Sequence, residues 1–299
     1  MKGIKIADDI QKYLSDLSHQ VSSDKFREIF NCVVLGKPIR FEIPAKSISR
    51  IARLANKLHL QFATSNMSFR LLNDNGMDNW QNTFEYCDEN LSNAMKFVYL
   101  HSDSEVCERA KQYEETENDF ELGLLLSYPK CCVEGYLKWQ HEKKDIDPIT
   151  TIVDSFQFTG KLNNYNFPNP FSRYFGSGLF SHFPCSLNCT ATKIIANESF
   201  KMLQLNFPTV AEKILQLENS LIIFHKEMGV GLWNKFESSK HCIYVDKSSF
   251  YGQGEFKSIF TTIDEINLTK SELTLFSAKK QTSRIPTNRL LFATFLRPN

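Results

Sequence analysis

Two short stretches constrain this chain more than any other feature. They are Ser127-Tyr128-Pro129-Lys130-Cys131-Cys132-Val133-Glu134 and His182-Phe183-Pro184-Cys185-Ser186-Leu187-Asn188-Cys189. Each sets an aromatic–proline pair closely ahead of cysteine, with Lys130 between Pro129 and Cys131 in the first. Proline is favoured in the first helical turn, where its missing N–H costs nothing. Both stretches therefore predict helix starts, the second helix running from about Pro184 to Leu205. A helix N-terminus offers unpaired N–H groups and partial positive charge. Both stabilise the thiolate, the form that binds metal or attacks. Cys185 and Cys189, four apart, would share a helix face. Cys131 and Cys132 point about 100° apart and can both ligate only at a helix tip. Four thiolates from two helix tips satisfy a tetrahedral zinc site or a cubane iron–sulfur cluster. The cluster is placed slightly ahead, because adjacent cysteines make an awkward structural zinc corner. Plain packing of small buried thiols is the second possibility, and a metal-free redox or nucleophilic thiol pair the third.

Composition narrows the classes. Thirty-five basic residues against 34 acidic leave a net charge of +1, so the basic excess of a nucleic-acid binder is missing. No apolar run approaches the length of a membrane helix, and the N-terminus lacks the apolar stretch of a signal peptide. The expectation is a cytoplasmic protein without nucleic-acid or membrane partners, its oligomeric state open. In that setting the eight cysteines are thiols or metal ligands before they are disulfides.

Periodicity predicts an α+β fold. Residues 1–115 read as a small α/β unit: helical spacing over Ile6–Val21 and Ile48–Leu58, and alternation at Ile39, Phe41 and Ile43 and at Met67, Phe69 and Leu71. A turn is expected at Asn73–Gly76, a buried strand at Lys96–Leu100, and a helix capped by Ser102 or Ser104. Residues 116–228 read as a mainly helical unit carrying the cysteines, with helices after Pro129 and over Ile214–Met228 and a long irregular loop at 144–184. Residues 229–299 have β character at His241–Val245, Phe256–Ile263 and Leu273–Phe276.

The two cysteine motifs, with Glu121-Leu122-Gly123 ahead of the first, resemble a poorly characterised family of archaeal and bacterial proteins known as a domain of unknown function. The resemblance spans roughly residues 97–205 and implies no established activity. A looser analogy is with epoxyqueuosine reductases, which set adjacent cysteines and a second pair around a cluster; their motif flanks differ.

Other residues complete the expected site. His182 is a candidate ligand, proton donor or helix cap, and Glu134 a candidate general acid or base. Without a function, His182 is an ordinary polar residue and Glu134 a favourable first-turn charge. Arg173 and Tyr174 are candidates for holding an anionic substrate, against the simpler reading of Arg173 as a surface residue. The segment 163–184 holds Tyr165, Phe167, Phe171, Tyr174, Phe175, Phe180 and Phe183, with Gly176 and Gly178 between them. It is predicted to wall or lid a pocket beside the sulfurs; the alternative is that it completes the core. Cys32, Cys87, Cys107 and Cys242 lie in apolar periodic contexts and read as packing, and His241 would face away from Cys242 on a strand.

No phosphate loop, dinucleotide fingerprint, HExxH or GxSxG motif is present. The expected function is an enzyme built around a cysteine-ligated iron–sulfur or zinc centre and acting on a small or anionic substrate. The alternatives are a non-enzymatic protein with a structural zinc clamp and a partner-binding aromatic loop, and a metal-free thiol redox protein.

Overall fold

The computed structural model describes residues 6–71, 84–142, 148–154, 162–166, 168–225, 228–239, 242–269, 271–286 and 290–296. The expected turn at Asn73–Gly76, and Phe167 and His241, lie outside these. The architecture is mixed α+β, as the sequence predicts.

Helices α1 (Asp8–Leu17) and α2 (Ser23–Leu35) bury one face each, through Leu14 and Leu17 and through Phe26, Ile29 and Phe30. Gly36 stops α2 in the left-handed region, φ +60°, where a missing Cβ removes the strain. In β1 (Ile39–Pro44), Ile39, Phe41 and Ile43 turn inward. Helix α3 (Ile48–Lys57) precedes β2 (Gln61–Thr64), β3 (Ser68–Leu71), β4 (Phe84–Cys87) and β5 (Met95–His101). β5 is the central strand of an antiparallel sheet, with β1 along one side and β2 then β3 along the other. Helix α4 (Ser104–Glu115) is capped by Asp103, whose carboxylate accepts from Glu105 N at 2.9 Å. The cap thus falls between the two serines expected for it.

The centre contributes α5 (Asp119–Leu125), α6 (Lys130–Glu142), α7 (Pro148–Asp154), β6 (Asn163–Asn166), α8 (Thr190–Asn206) and α9 (Pro208–Glu218). One face of the first sheet packs with α2, α8 and α9 through Phe41, Val98, Phe30, Phe200 and Ile214. Its other face carries Phe69, Phe97 and Tyr99 against Ala110 of α4 and Leu122 of α5. The segment 144–184 is more regular than expected: it holds α7, β6 and a 3-10 turn at Ser172–Phe175.

Strands β7 (Leu221–His225), β8 (Gly229–Trp233), β9 (Phe236–Ser238), β10 (Cys242–Val245) and β11 (Phe250–Gly254) come next, then α10 (Glu255–Phe260). β12 (Glu265–Leu268), β13 (Glu272–Ser277), β14 (Lys280–Pro286) and β15 (Leu290–Leu296) close the chain. They form two sheets, in the orders β14-β13-β12-β10-β9 and β11-β8-β7-β15-β6. The second joins β6, from before the cysteine turn, to β15 in parallel.

Two expectations are corrected here. Ile214–Met228 is not one helix, because Leu221–His225 is strand β7, its first four residues fully buried. An apolar run buried on both faces carries no period that separates strand from helix. Phe256–Ile263 is not a strand. Phe256, Phe260 and Ile263 are fully buried, and their spacing is helical, matching α10. Among the described residues no helix is long and apolar enough to cross a membrane.

Candidate metal centre

The first motif folds as its proline dictates. α5 ends at Leu125, and Tyr128 N returns to Gly123 O at 3.0 Å. Ser127 takes up the reversal with φ +63°. The Pro129 carbonyl then accepts from Cys132 N at 2.8 Å and Val133 N at 3.0 Å, so Cys131 and Cys132 lie in the first turn of α6. α5 and α6 meet at Gly123, where a Cβ would stand 2.8 Å from Val133 Cγ2.

The second motif departs from expectation. α8 begins at Thr190, not near Pro184, and Cys189 is its N-cap residue with extended backbone (φ −57°, ψ 113°). Cys185 to Asn188 form a turn closed by Cys189 N to Ser186 O at 3.2 Å. Cys185 and Cys189 therefore share no helix face. The buried Leu187 packs among Phe171, Leu217 and Ile222, and this anchoring holds the turn off the helix axis. Gly135 of α6 allows the turn to approach, since its Cβ would lie 3.2 Å from Cys185 Cβ.

The four sulfurs converge. Cys132 and Cys189 are 3.6 Å apart, Cys131 and Cys189 3.8 Å, and Cys131 and Cys132 3.9 Å. All four Sγ atoms, that of Cys185 included, lie within 4.8 Å of one another. Cys132 and Cys189 are buried, and Cys131 and Cys185 reach the surface. Burial pushes the Cys132 thiol up, and it takes Cys185 up to about 11 with Cys189 and Cys131 adding to the rise. Burial opposes ionisation of Cys189 too. The Thr192 hydroxyl and amide and the neighbouring Cys132 and Cys185 thiols outweigh it, bringing Cys189 down to about 7. Such a group of thiols can hold a metal ion.

A cavity of about 430 Å³ adjoins this cluster, and Cys132, His182, Arg173, Tyr128, Tyr136 and Phe183 all line it. His182 is buried between Tyr128 and Phe180. Its Nε2 is hydrogen-bonded to Thr192 Oγ1 at 2.8 Å, and that hydroxyl lies 3.5 Å from Cys132 Sγ. Burial, then the charges of Arg173, Arg27 and Lys37, hold His182 down at about 3. Arg173 is buried, not a surface residue. Its Nη1 and Nη2 donate to the carbonyls of His182 and Ser181, both at 3.2 Å, and its guanidinium lies over the Phe183 ring.

Two candidates sit elsewhere. Glu134 is exposed and faces Lys130 at 3.8 Å, because its place on α6 points away from the cavity. Tyr174 is fully buried against Phe171 and Phe224, so it belongs to the core under β7. The aromatic segment is split in the same way: Phe171 and Tyr174 fill one core, Phe180 another, and Tyr165 stacks on Phe295. Through Arg173, Phe180 and Phe183 the segment forms a wall of the cavity, with a core behind it. Cys32 and Cys107 are buried thiols, raised by burial to about 12 and about 11, while Cys87 and Cys242 are half-buried.

The sequence reading missed Arg27, Arg40 and Asp119 of the cavity and the Thr192 bridge. Thr192 carried a local signal, three residues past Cys189. Arg27 carried none, since its partner Ser181 is 154 residues away.

Fold and site together define an α+β protein with a four-cysteine cluster able to hold a metal ion. Residues 94–222 match the model of a family described as a protein of unknown function (DUF483). The match takes in both cysteine motifs and bears out the resemblance to a domain-of-unknown-function family. No curated protein and no solved structure matches the chain.

Proposed function

We propose that the four cysteines hold a single tetrahedral zinc ion, and that this ion fixes one wall of a small-molecule-binding cavity. The observation that carries the reading is the double membership of Cys132, which stands 3.6 Å from Cys189 Sγ and also lines the cavity.

The donor set fits zinc. Sulfurs at the corners of a tetrahedron with Zn–S near 2.3 Å stand about 3.8 Å apart, and three separations are 3.6, 3.8 and 3.9 Å. Thiolates on different irons of a cluster spread farther, because an iron–iron separation lies between them. This spacing supports zinc over the iron–sulfur cluster that the sequence put first. Four protein thiolates leave no open coordination position, the pattern of a structural site. Cys131 and Cys132 would anchor the tip of α6, and Cys185 and Cys189 the turn before α8. The bound ion supplies cross-linking energy there.

His182, neutral at physiological pH, serves as a hydrogen-bonding wall residue in this reading instead of a proton carrier. The aromatic segment offers little to a protein partner, since Phe171, Tyr174 and Phe180 are buried. The cytoplasm is the proposed compartment, supported by eight cysteines with none in a disulfide.

A second reading, an enzyme, draws support from Asp119. This carboxylate lines the same cavity, and burial raises its pKa, as suits an acid–base group. The test is metal analysis and an absorption spectrum of protein purified without oxygen. One zinc per chain and no visible absorption is the expected result. Iron with acid-labile sulfide overturns zinc, and protein free of all metal overturns the centre.

A further inference from the structure

The cavity beside Cys132 has a charged side that the metal reading leaves unused. Arg27 of α2 lines it and is 4% exposed. Its Nη2 donates to Glu28 Oε1 at 3.3 Å and to the Ser181 hydroxyl at 3.1 Å. Its Nε is buried as well and meets no acceptor. A buried donor left unsatisfied is costly, more so when charged, and native structures leave few. Arg173 brings a second buried guanidinium to the same cavity. Its positive field and that of Arg27 both reach His182.

Four carboxylates, of Asp24, Glu28, Glu42 and Asp119, share the lining with the cations of Lys25, Arg27, Arg40 and Arg173. Arg40 is chelated by Glu114, with Nη2 to Oε1 at 2.9 Å, and has Glu42 at 3.9 Å. Glu28 accepts from both Arg27 and Ser181, and Asp24 Oδ1 accepts from Lys25 N at 2.8 Å. Beside this polar side lies an apolar one, made by Leu122, Val133, Tyr128, Tyr136 and Phe183. Tyr136 and Phe183 stack with ring centroids 5.8 Å apart. The volume, about 430 Å³, is within the range of organic-ligand pockets and far exceeds what a bare ion fills.

We propose that this cavity binds a small organic oxyanion, a carboxylate or phosphate ester with an aromatic or apolar body, whose charge is held against the Arg27 guanidinium on the cavity wall. The inference rests on reading the cavity as a ligand site. Arg173 contributes charge beside the anion, and the Tyr136–Phe183 wall takes the body. A guanidinium suits this task because it presents fixed N–H donors to a planar or tetrahedral oxyanion.

The test is calorimetric titration of the full-length, metal-assayed protein with phenyl phosphate, benzoate, the neutral isostere benzamide and inorganic phosphate. At least one aromatic oxyanion is expected to bind tenfold or more tightly than benzamide. That binding should weaken at least tenfold in Arg27→Gln. Phenyl phosphate against benzoate tells which oxyanion is taken. Benzamide binding as tightly as the oxyanions, no binding by any probe, or unchanged affinity in a folded Arg27→Gln overturns the proposal. Inorganic phosphate binding as tightly as phenyl phosphate overturns the organic body. Should Arg27→Gln fail to fold, the oxyanion–benzamide comparison on the wild type decides. Zinc-loaded protein that binds no oxyanion sinks this inference alone. Oxyanion binding by protein without metal sinks the metal reading alone.

Discussion

Cys132 Sγ and Cys189 Sγ stand 3.6 Å apart across 57 residues of chain. One lies in the first turn of α6 and the other is the N-cap residue of α8. A metal ion between them would tie together two helices that share no backbone hydrogen-bond ladder.

Replacing Cys132 with Ser should therefore release the ion and lower the melting temperature by on the order of 10 °C, taking about 2–4 °C per kcal/mol for a larger domain. Cys87→Ser, at a half-buried thiol on β4 outside the cluster, should change the melt by a degree or two. A thermal melt with zinc quantified in parallel checks this. Equal shifts at Cys87 and Cys132 would mean that the cluster only packs.

Gly135→Ala tests how the Cys185 turn is held. Alanine favours the helix by roughly 1 kcal/mol over glycine. Here the new Cβ would stand 3.2 Å from Cys185 Cβ and 3.6 Å from its Cα, so the turn must give by a few tenths of an ångström. Overpacking of this kind costs about 1–3 kcal/mol. The expected outcome is weaker zinc retention in a chelator competition, by threefold or more, with little change in helix content. Retention equal to wild type would show that the turn moves freely.

Stability should fall as pH rises, through Glu218. This carboxyl is fully buried and accepts from Asn169 N at 2.5 Å and from the Ser172 hydroxyl at 2.6 Å. Burial, partly offset by those hydrogen bonds, lifts its pKa from 4.5 to about 8. Between those values the folded state holds a proton that the unfolded state has lost. The contribution is thus fully present below 4.5 and is lost as pH climbs through 8. Because buried His182, held down at about 3, works in the opposite direction up to about pH 6.5, the readout is the difference between proteins: from pH 5 to pH 8 the wild type should lose on the order of a few kcal/mol more than Glu218→Gln in denaturant melts. Parallel slopes for the two proteins would refute the assignment.

Local rules were legible in the chain. Ile39, Phe41 and Ile43 declared β1 through their period of two, and Pro129 set Cys131 and Cys132 into a first helical turn, because backbone sterics act over a few residues. The four cysteines were legible as a group from their types and flanks alone. Long-range packing set everything that depends on burial. It made a strand of Leu221–Phe224, whose burial on both faces erases periodicity. It pulled Leu187 into a core, so that the turn at Cys185 never became helix. It turned Tyr174 into core and Glu134 out to solvent, and it brought Arg27 to Ser181 across 154 residues. Contacts between such distant segments leave no local trace, because side-chain environment is set by what packs opposite and not by neighbours in the chain.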